Sequence, residues 1–326
     1  MQAIPLERRG TPDVLRAREV ADPVAGPGEV VVELRAAAVN RRDALLRAGA
    51  GPEYLLPLPF VLGSDGAGVR RDTGEEVMIL PSLRWGPDES VAGPDFGILG
   101  GPSDGTYAEL VAVPTENLFP KPAGFSWPEA AALPLASLTA YRGLLGLAGL
   151  RSGERLVILG TGGVSVAALQ LAAAVGAKVA LTSSSPEKLE WARRHGAGCV
   201  VDRRASGWPA ELKERFGAAD VVLDSVGTTW PESIGLLRDG GRLVACGGTG
   251  GGATELDVRA VYLHQKQILG TKLGSPADFR GLLGLVEGSG LRPVVDSVRP
   301  LAEAGAAHAR MESGAHLGKL VLDPKG

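Results

Sequence analysis

Metal-binding side chains are scarce in this chain. Among 326 residues there are two cysteines and four histidines. Cys199 and Cys246 each lie inside an apolar run, which reads as buried thiols rather than a disulfide or a metal pair. Positive charge is not in excess either. The formal net charge is −3 and the isoelectric point near 5.9, so no basic surface argues for nucleic acid or an anionic membrane. No apolar run approaches the roughly 18–20 residues of a membrane span. The start, Met-Gln-Ala-Ile-Pro-Leu-Glu-Arg, has no long apolar core of the signal-peptide kind. The expected setting is a reducing cytoplasm and the expected partner a small molecule. What is present is ordinary for a globular protein: 44% hydrophobic and 22% charged residues, in a chain long enough for two domains.

The most informative stretch is Leu156-Val-Ile-Leu-Gly-Thr-Gly-Gly-Val-Ser165. Leu156 to Leu159 is a short unbroken apolar run, as in a strand buried on both faces of a parallel sheet. Gly160 and Gly162 follow. Val164, Ala167, Ala168, Leu171 and Val175 then recur at helical spacing until Gly176. Strand, glycine turn and helix are the setting of a dinucleotide-binding loop. Gly160 permits the turn, Gly162 lets a pyrophosphate approach the backbone, and the free N–H groups of Gly163, Val164 and Ser165 open the helix toward it. Ser165 replaces the usual third glycine, and its hydroxyl is a candidate phosphate ligand.

Residues 1–119 read as short strands and turns, including Glu29 to Val39, Phe60 to Val69, Glu76 to Leu80 and Tyr107 to Pro114. Arg84 to Gly105 is a long loop without regular pattern. This part predicts a β-rich, partly open barrel. Near Pro120 the pattern changes. Ser126 and Glu129 form a capping box for a helix to about Leu133, and Ser137 to Leu147 is helical. Strands at Lys178 to Thr182, Val221 to Asp224, Arg242 to Cys246 and Ile268 to Lys272 alternate with helices at Pro186 to His195 and Pro231 to Arg238. Residues 120–275 therefore predict a doubly wound parallel sheet. Residues 276–326 hold two helices and a closing strand, Gly318 to Leu322.

Several short motifs occur in a telling order: Ala38-Val-Asn-Arg-Arg-Asp43, Phe60-Val-Leu-Gly-Ser-Asp-Gly-Ala-Gly68, Asp104-Gly-Thr-Tyr-Ala-Glu109, Ala131-Ala-Leu-Pro-Leu-Ala-Ser-Leu-Thr139, the glycine loop, Asp220-Val-Val-Leu-Asp-Ser-Val-Gly227 and His316-Leu-Gly-Lys-Leu-Val-Leu322. With them the chain resembles the zinc-free, quinone oxidoreductase-like branch of the medium-chain dehydrogenase/reductase superfamily over nearly its whole length. The resemblance implies an α/β architecture: a GroES-like catalytic domain made of residues 1–119 and the returning 276–326, with a Rossmann cofactor domain between. It implies a homodimer joined through the Rossmann edge near Val258 to Thr271. It also implies cofactor contacts from Thr139, Gly247 and Lys319, the last with the pyrophosphate.

In zinc members of that superfamily the catalytic metal is held by thiolate and imidazole ligands. By motif, Asn40 stands where they have cysteine, Ser64 where they have histidine, and Leu135 at the third position. The loop that carries a four-cysteine structural zinc in relatives has no cysteine here. An amide, a hydroxyl and an isobutyl group make a poor zinc site. Without a Lewis acid, a quinone or an enal is the more accessible acceptor, because the reduced nicotinamide supplies the hydride and the protein mainly aligns the reactants. Asn40 is the candidate to position cofactor or substrate, Asp43 to orient Asn40 or Arg41, and Tyr54 to hydrogen-bond or protonate an acceptor. An enoyl or 2-alkenal reductase, and a non-catalytic NADPH-binding protein, remain as alternatives.

The cofactor expectation is NADPH. No acid stands at the end of the second strand of the dinucleotide fold, where an NAD enzyme holds the ribose hydroxyls. Ser183, Ser184 and Ser185 stand there, with Lys188 one turn into the next helix and Arg203, just past Val200-Val201-Asp202, placed to add charge or to stack on adenine. Hydroxyls and cations suit a phosphate dianion. Glu187, in the first turn of that helix, is read as facing solvent.

Overall fold

The computed structural model describes all residues, Met1–Gly326. The chain forms two compact units. One comprises Met1–Ala136, Ser275–Glu287 and Arg292–Gly326, the other Ser137–Gly274 with Gly288–Leu291. In chain order the principal elements begin with β1 (Glu29–Ala38), α1 (Arg41–Ala48), β2 (Asp65–Arg70), β3 (Glu76–Ile79), β4 (Leu110–Pro114) and β5 (Leu118–Pro120). Two helices follow, α2 (Trp127–Ala132) and α3 (Pro134–Tyr141). Then come β6 (Arg155–Leu159), α4 (Gly163–Ala174), β7 (Lys178–Ser183), α5 (Pro186–Arg194), β8 (Ala197–Asp202) and α6 (Trp208–Phe216). They continue with β9 (Ala219–Asp224), α7 (Trp230–Leu236), β10 (Leu237–Ala245), α8 (Arg259–Tyr262) and β11 (Gln267–Gly270). The chain closes with α9 (Pro276–Ser289), β12 (Val295–Pro300), α10 (Ala304–Glu312) and β13 (Lys319–Asp323).

The first unit is built on a seven-stranded sheet in the order β5-β3-β2-β1-β13-β12, with β4 also paired to β1. Along β1 the apolar side chains alternate, so Val30, Val32 and Leu34 turn into the core. Val32 and Leu34 meet Val77, Ile79, Leu99, Val111 and Val113 there. Antiparallel register sets Ala38 opposite Asp65 of β2 and opposite Val321 of β13. Two residues further on, the same register brings Asn40 across from Lys319. The segment read as an unpatterned loop has its own small core. Trp85 and Phe96 pack edge to face with centroids 5.4 Å apart, and the Trp85 indole donates to the Asp88 carbonyl.

The second unit is a six-stranded parallel sheet in the order β8-β7-β6-β9-β10-β11. Strand order reverses between β6 and β9. In open α/β sheets the carboxyl ends of strands at such a point form the ligand crevice. The glycine loop leaves β6 at that end.

Three expectations need correction. The first boundary falls after Ala136, not at 119, because α2 packs on β1 and β2 of the first sheet. β8, α6 and β12 were absent from the sequence reading. The helix expected over Ser137 to Leu147 is α3 followed by a wider π-helical run, Arg142–Leu147. Gly143 lies close against the sheet there, since a Cβ would come within 2.7 Å of Val244. No helix is long and apolar enough to cross a membrane. Both cysteines are free, Cys199 buried and Cys246 half-buried.

Candidate active site

In the first unit, register gathers the residues of three separate motifs. Asp65 is fully buried and its carboxylate is the hub. One oxygen accepts the Leu135 backbone N–H at 2.8 Å. The other accepts the Asn40 amide and the Lys319 ammonium, each at 2.9 Å. Lys319 also donates to the Asn40 side-chain oxygen. This fixes the amide's orientation, nitrogen to carboxylate and oxygen to ammonium. The remaining Asn40 N–H reaches the Ala38 carbonyl at 3.3 Å. Both amide hydrogens are thus engaged, so Asn40 cannot donate to a substrate carbonyl. Its oxygen retains a lone pair and can accept, for instance from a carboxamide. Lys319 is not an exposed lysine: only 5% of it is accessible, and two of its three N–H groups are committed.

Asp43 accepts the Asn40 backbone N–H at 2.8 Å. It is fully buried, so it does not touch an acceptor. Burial pushes its pKa up to about 6, against the Asn40 N–H, the Arg42 charge and the Tyr107 hydroxyl. Arg42 donates to the carbonyls of Gly100 and Gly101 at 3.1 and 2.9 Å, and its contact with Ser64 Oγ is 3.4 Å. Burial lowers its pKa. Tyr54 ends a short 3₁₀ turn, half-buried against the core beneath it. Its hydroxyl meets no protein partner. Burial, then Glu53, raise its pKa, which keeps the proton on the oxygen.

The three metal-ligand positions of the zinc relatives do converge on Asp65, but their chemistry does not fit a zinc ion. Asn40 is saturated by its neighbours, Ser64 faces a guanidinium, and Leu135 offers only an alkyl chain. The Lys319 ammonium already balances the one carboxylate a cation would seek.

In the second unit the glycine loop suits a dinucleotide. Gly160 has φ +95°, a conformation that favours glycine. A Cβ at Gly162 would meet no protein atom within 4 Å, so packing does not require a glycine there and the space is open. Gly162 caps α4 without a side-chain hydrogen bond, which leaves the N–H groups of Gly163, Val164 and Ser165 for a phosphate. The Ser165 hydroxyl is not part of that set; it is buried and donates to the Leu159 carbonyl at 3.3 Å.

At the end of β7, Ser183 is buried and its oxygen accepts the Ser185 N–H at 3.3 Å. Ser185 caps α5 through the Lys188 N–H and donates to Glu187, which is exposed as read but held in place. Ser184 is exposed. Arg203 lies beside them, its N–H on the Ser183 carbonyl at 3.1 Å and its side chain exposed. Its neighbour Arg204 is paired twice to Asp202, whose pKa the guanidinium pulls down to about 2. Thr139 is buried in α3. Gly247 sits where two loops come close, since a Cβ would stand 3.1 Å from the Ser225 carbonyl.

The charge pairing of Asp65 with Lys319 was missed in the sequence, as were Arg42 and the buried trio Arg47, Tyr107 and His308. Asp65 lay in a recognised motif and Tyr107 in another. Nothing local marked either as part of a network.

Comparison with known proteins agrees with this geometry. Residues 26–123 match the alcohol dehydrogenase GroES-like domain, and residues 163–288 match the zinc-binding dehydrogenase family. A quinone oxidoreductase of Pseudomonas aeruginosa is 32% identical over 97% of each chain. Among solved structures, an NAD-dependent alcohol dehydrogenase superposes with TM-score 0.91 and 36% identity, covering 99% of both chains. The quinone oxidoreductase from Thermus thermophilus, solved also as its complex with NADPH, has TM-score 0.82 and 34% identity, covering 99% of this chain and 100% of that one.

Proposed function

The chain belongs to the medium-chain dehydrogenase/reductase superfamily, in its quinone oxidoreductase-like branch, and on that premise we propose that it is an NADPH-dependent reductase of quinones or other electron-poor conjugated carbonyls that works without a metal. The observation that carries the reading is the Asp65–Lys319 ion pair, with Asn40 bonded to both, at the position where zinc relatives hold their metal. Bound NADPH supplies the hydride. The protein's own residues do the rest. The open N–H groups of α4 bind the pyrophosphate. Ser184, Lys188 and Arg203 take the 2′-phosphate. The Asn40 oxygen accepts from the cofactor's carboxamide, and Tyr54 hydrogen-bonds the acceptor oxygen.

A second reading, an enoyl or 2-alkenal reductase, is favoured by the unpartnered Tyr54 hydroxyl, a proton donor suited to an α-carbon. A screen of quinones, enals and aldehydes against both reduced nicotinamides, followed by absorbance loss, decides among these. Preferential quinone turnover with NADPH supports the first reading, and faster enal turnover that collapses in Tyr54→Phe supports the second. Cofactor binding without turnover over the whole panel overturns both.

A further inference from the structure

Behind Asn40 runs a line of buried polar side chains that no reactant touches. Asp43, Tyr107 and His308 are fully buried, and Arg47 is 2% exposed. Arg47 Nε lies 3.4 Å from His308 Nδ1. His308 Nε2 lies 3.1 Å from the Tyr107 oxygen, which lies 3.0 Å from Asp43 Oδ2. A guanidinium N–H can only donate. His308 Nδ1 is therefore the acceptor, and the ring proton sits on Nε2. That proton points to the Tyr107 oxygen. Tyr107, having accepted, gives its single hydrogen to Asp43. The far end is anchored by the Arg47–Glu312 ion pair and by an Arg47 bond to the Gly10 carbonyl. The near end is the Asn40 backbone N–H on Asp43.

The opposite sense is barred. If Asp43 donated to Tyr107, Tyr107 would donate to His308 Nε2, and the ring proton would move to Nδ1. Two N–H groups would then face each other across the Arg47 contact. Asp43 has no slack either. Its Oδ1 is buried without a partner, so the carboxylate depends on the two donors at Oδ2. Burial, reinforced by the Arg47 charge, holds the His308 pKa down at about 3, so the ring is neutral.

We propose that Tyr107 and His308 are positioning residues: a one-way hydrogen-bond chain from Arg47 fixes Asp43, and through it the Asn40 amide that meets the cofactor. The effect on turnover rests on the reductase reading; the place of the ring proton does not. Isotope-edited NMR of the imidazole nitrogens tests the chain directly. The expected result is a neutral His308 with its proton on Nε2 from about pH 8 to pH 5. A proton on Nδ1, or titration near the ordinary histidine value of about 6.5, overturns it.

Three variants test the consequence. His308→Gln keeps both functions, an N–H toward Tyr107 and an oxygen toward Arg47. His308→Leu keeps neither, and Tyr107→Phe removes the hydrogen given to Asp43. NADPH dissociation constants measured by fluorescence, together with kcat and KM, should worsen by about tenfold in the Leu and Phe variants, the scale of one lost hydrogen bond. The Gln variant should stay within about threefold of the parent. Equal losses in Gln and Leu variants, or a lowered Tm with unchanged binding, would reduce the chain to scaffolding and overturn the proposal. If no acceptor is reduced at all, the functional reading fails, while NMR and NADPH binding still decide this one.

Discussion

Asp43 and His308 titrate in opposite directions, and their opposition predicts an unusual acid profile. His308 is held neutral at a pKa of about 3, against 6.5 for the free group, so the unfolded chain binds its proton first. Stability from this residue is lost as pH falls below about 6.5, by roughly 1.4 kcal/mol per pH unit. Asp43 is the reverse. Its pKa is raised from 3.8 to about 6, so the folded protein binds that proton first. Its contribution is greatest below the unfolded value and is lost as pH rises through 6. Between about pH 6 and pH 4 the two slopes cancel. Asp43→Asn removes one of them. The causes of the His308 shift, burial and Arg47, do not include Asp43, so its slope survives. The variant should lose about 2 kcal/mol relative to the parent on going from about pH 6 to pH 4, beyond any fixed offset from the substitution. His308→Gln should do the opposite and gain about 2.5 kcal/mol relative to the parent over the same window. The double variant should run parallel to the parent. Urea unfolding at three pH values in that window measures this, because carboxylates elsewhere contribute equally to all four proteins. Single variants that track the parent at every pH would refute the reasoning.

Other expectations follow from the cofactor and edge regions. Arg203→Ala and Lys188→Ala should each raise the KM for NADPH, with a loss of roughly 1.5–3 kcal/mol, and leave that for NADH nearly unchanged. Arg204→Ala should do neither, since Asp202 already holds that guanidinium; equal or better use of NADH by the parent would sink the 2′-phosphate assignment. Metal analysis of purified protein should find well under one zinc per chain, and chelators should leave activity intact; stoichiometric, chelator-sensitive zinc would end the metal-free reading. The β11 edge exposes Ile268 at 37%, and Val258, Tyr262 and Leu263 nearby at 69%, 63% and 64%, so we expect a second copy to cover it. Light scattering should give a dimer that Ile268→Lys weakens, and a parent protein that is monomeric at micromolar concentration would count against it.

What the sequence made legible was local. The strand, glycine turn and helix around Gly160 carry their own signals, and so does the Ser126–Glu129 capping box, which forms as read. α6 was invisible for an equally local reason. Its cap is Gly207 at φ +82°, with no side-chain acceptor to announce a helix start. β12 shows no apolar alternation, because its residues are half-buried or exposed on both faces. The boundary at Ala136 was out of reach because it depends on which sheet α2 packs against, not on α2 itself.

The site divides along the same line. Asn40, Ser64 and Leu135 were legible as replacements, since each stands at a fixed place in a motif. Their consequence was not, because it is a balance of charge. Asp65 is fully buried, and a lone carboxylate there would be costly. Lys319 supplies the missing positive charge from a strand 254 residues away, and a lysine inside an apolar strand end reads locally as solvent-facing. Only the register that sets Ala38 opposite Val321 turns it inward. The lysine and the three replacements therefore act together, with a fixed internal cation standing where zinc relatives place a metal. It follows that Asn40→Cys with Ser64→His should not create a tight zinc site while Lys319 remains, because a divalent ion would have to displace an ammonium from its carboxylate. Adding Lys319→Met should raise zinc affinity by calorimetry, and no change on that last step would show that the ammonium is not what keeps the ion out.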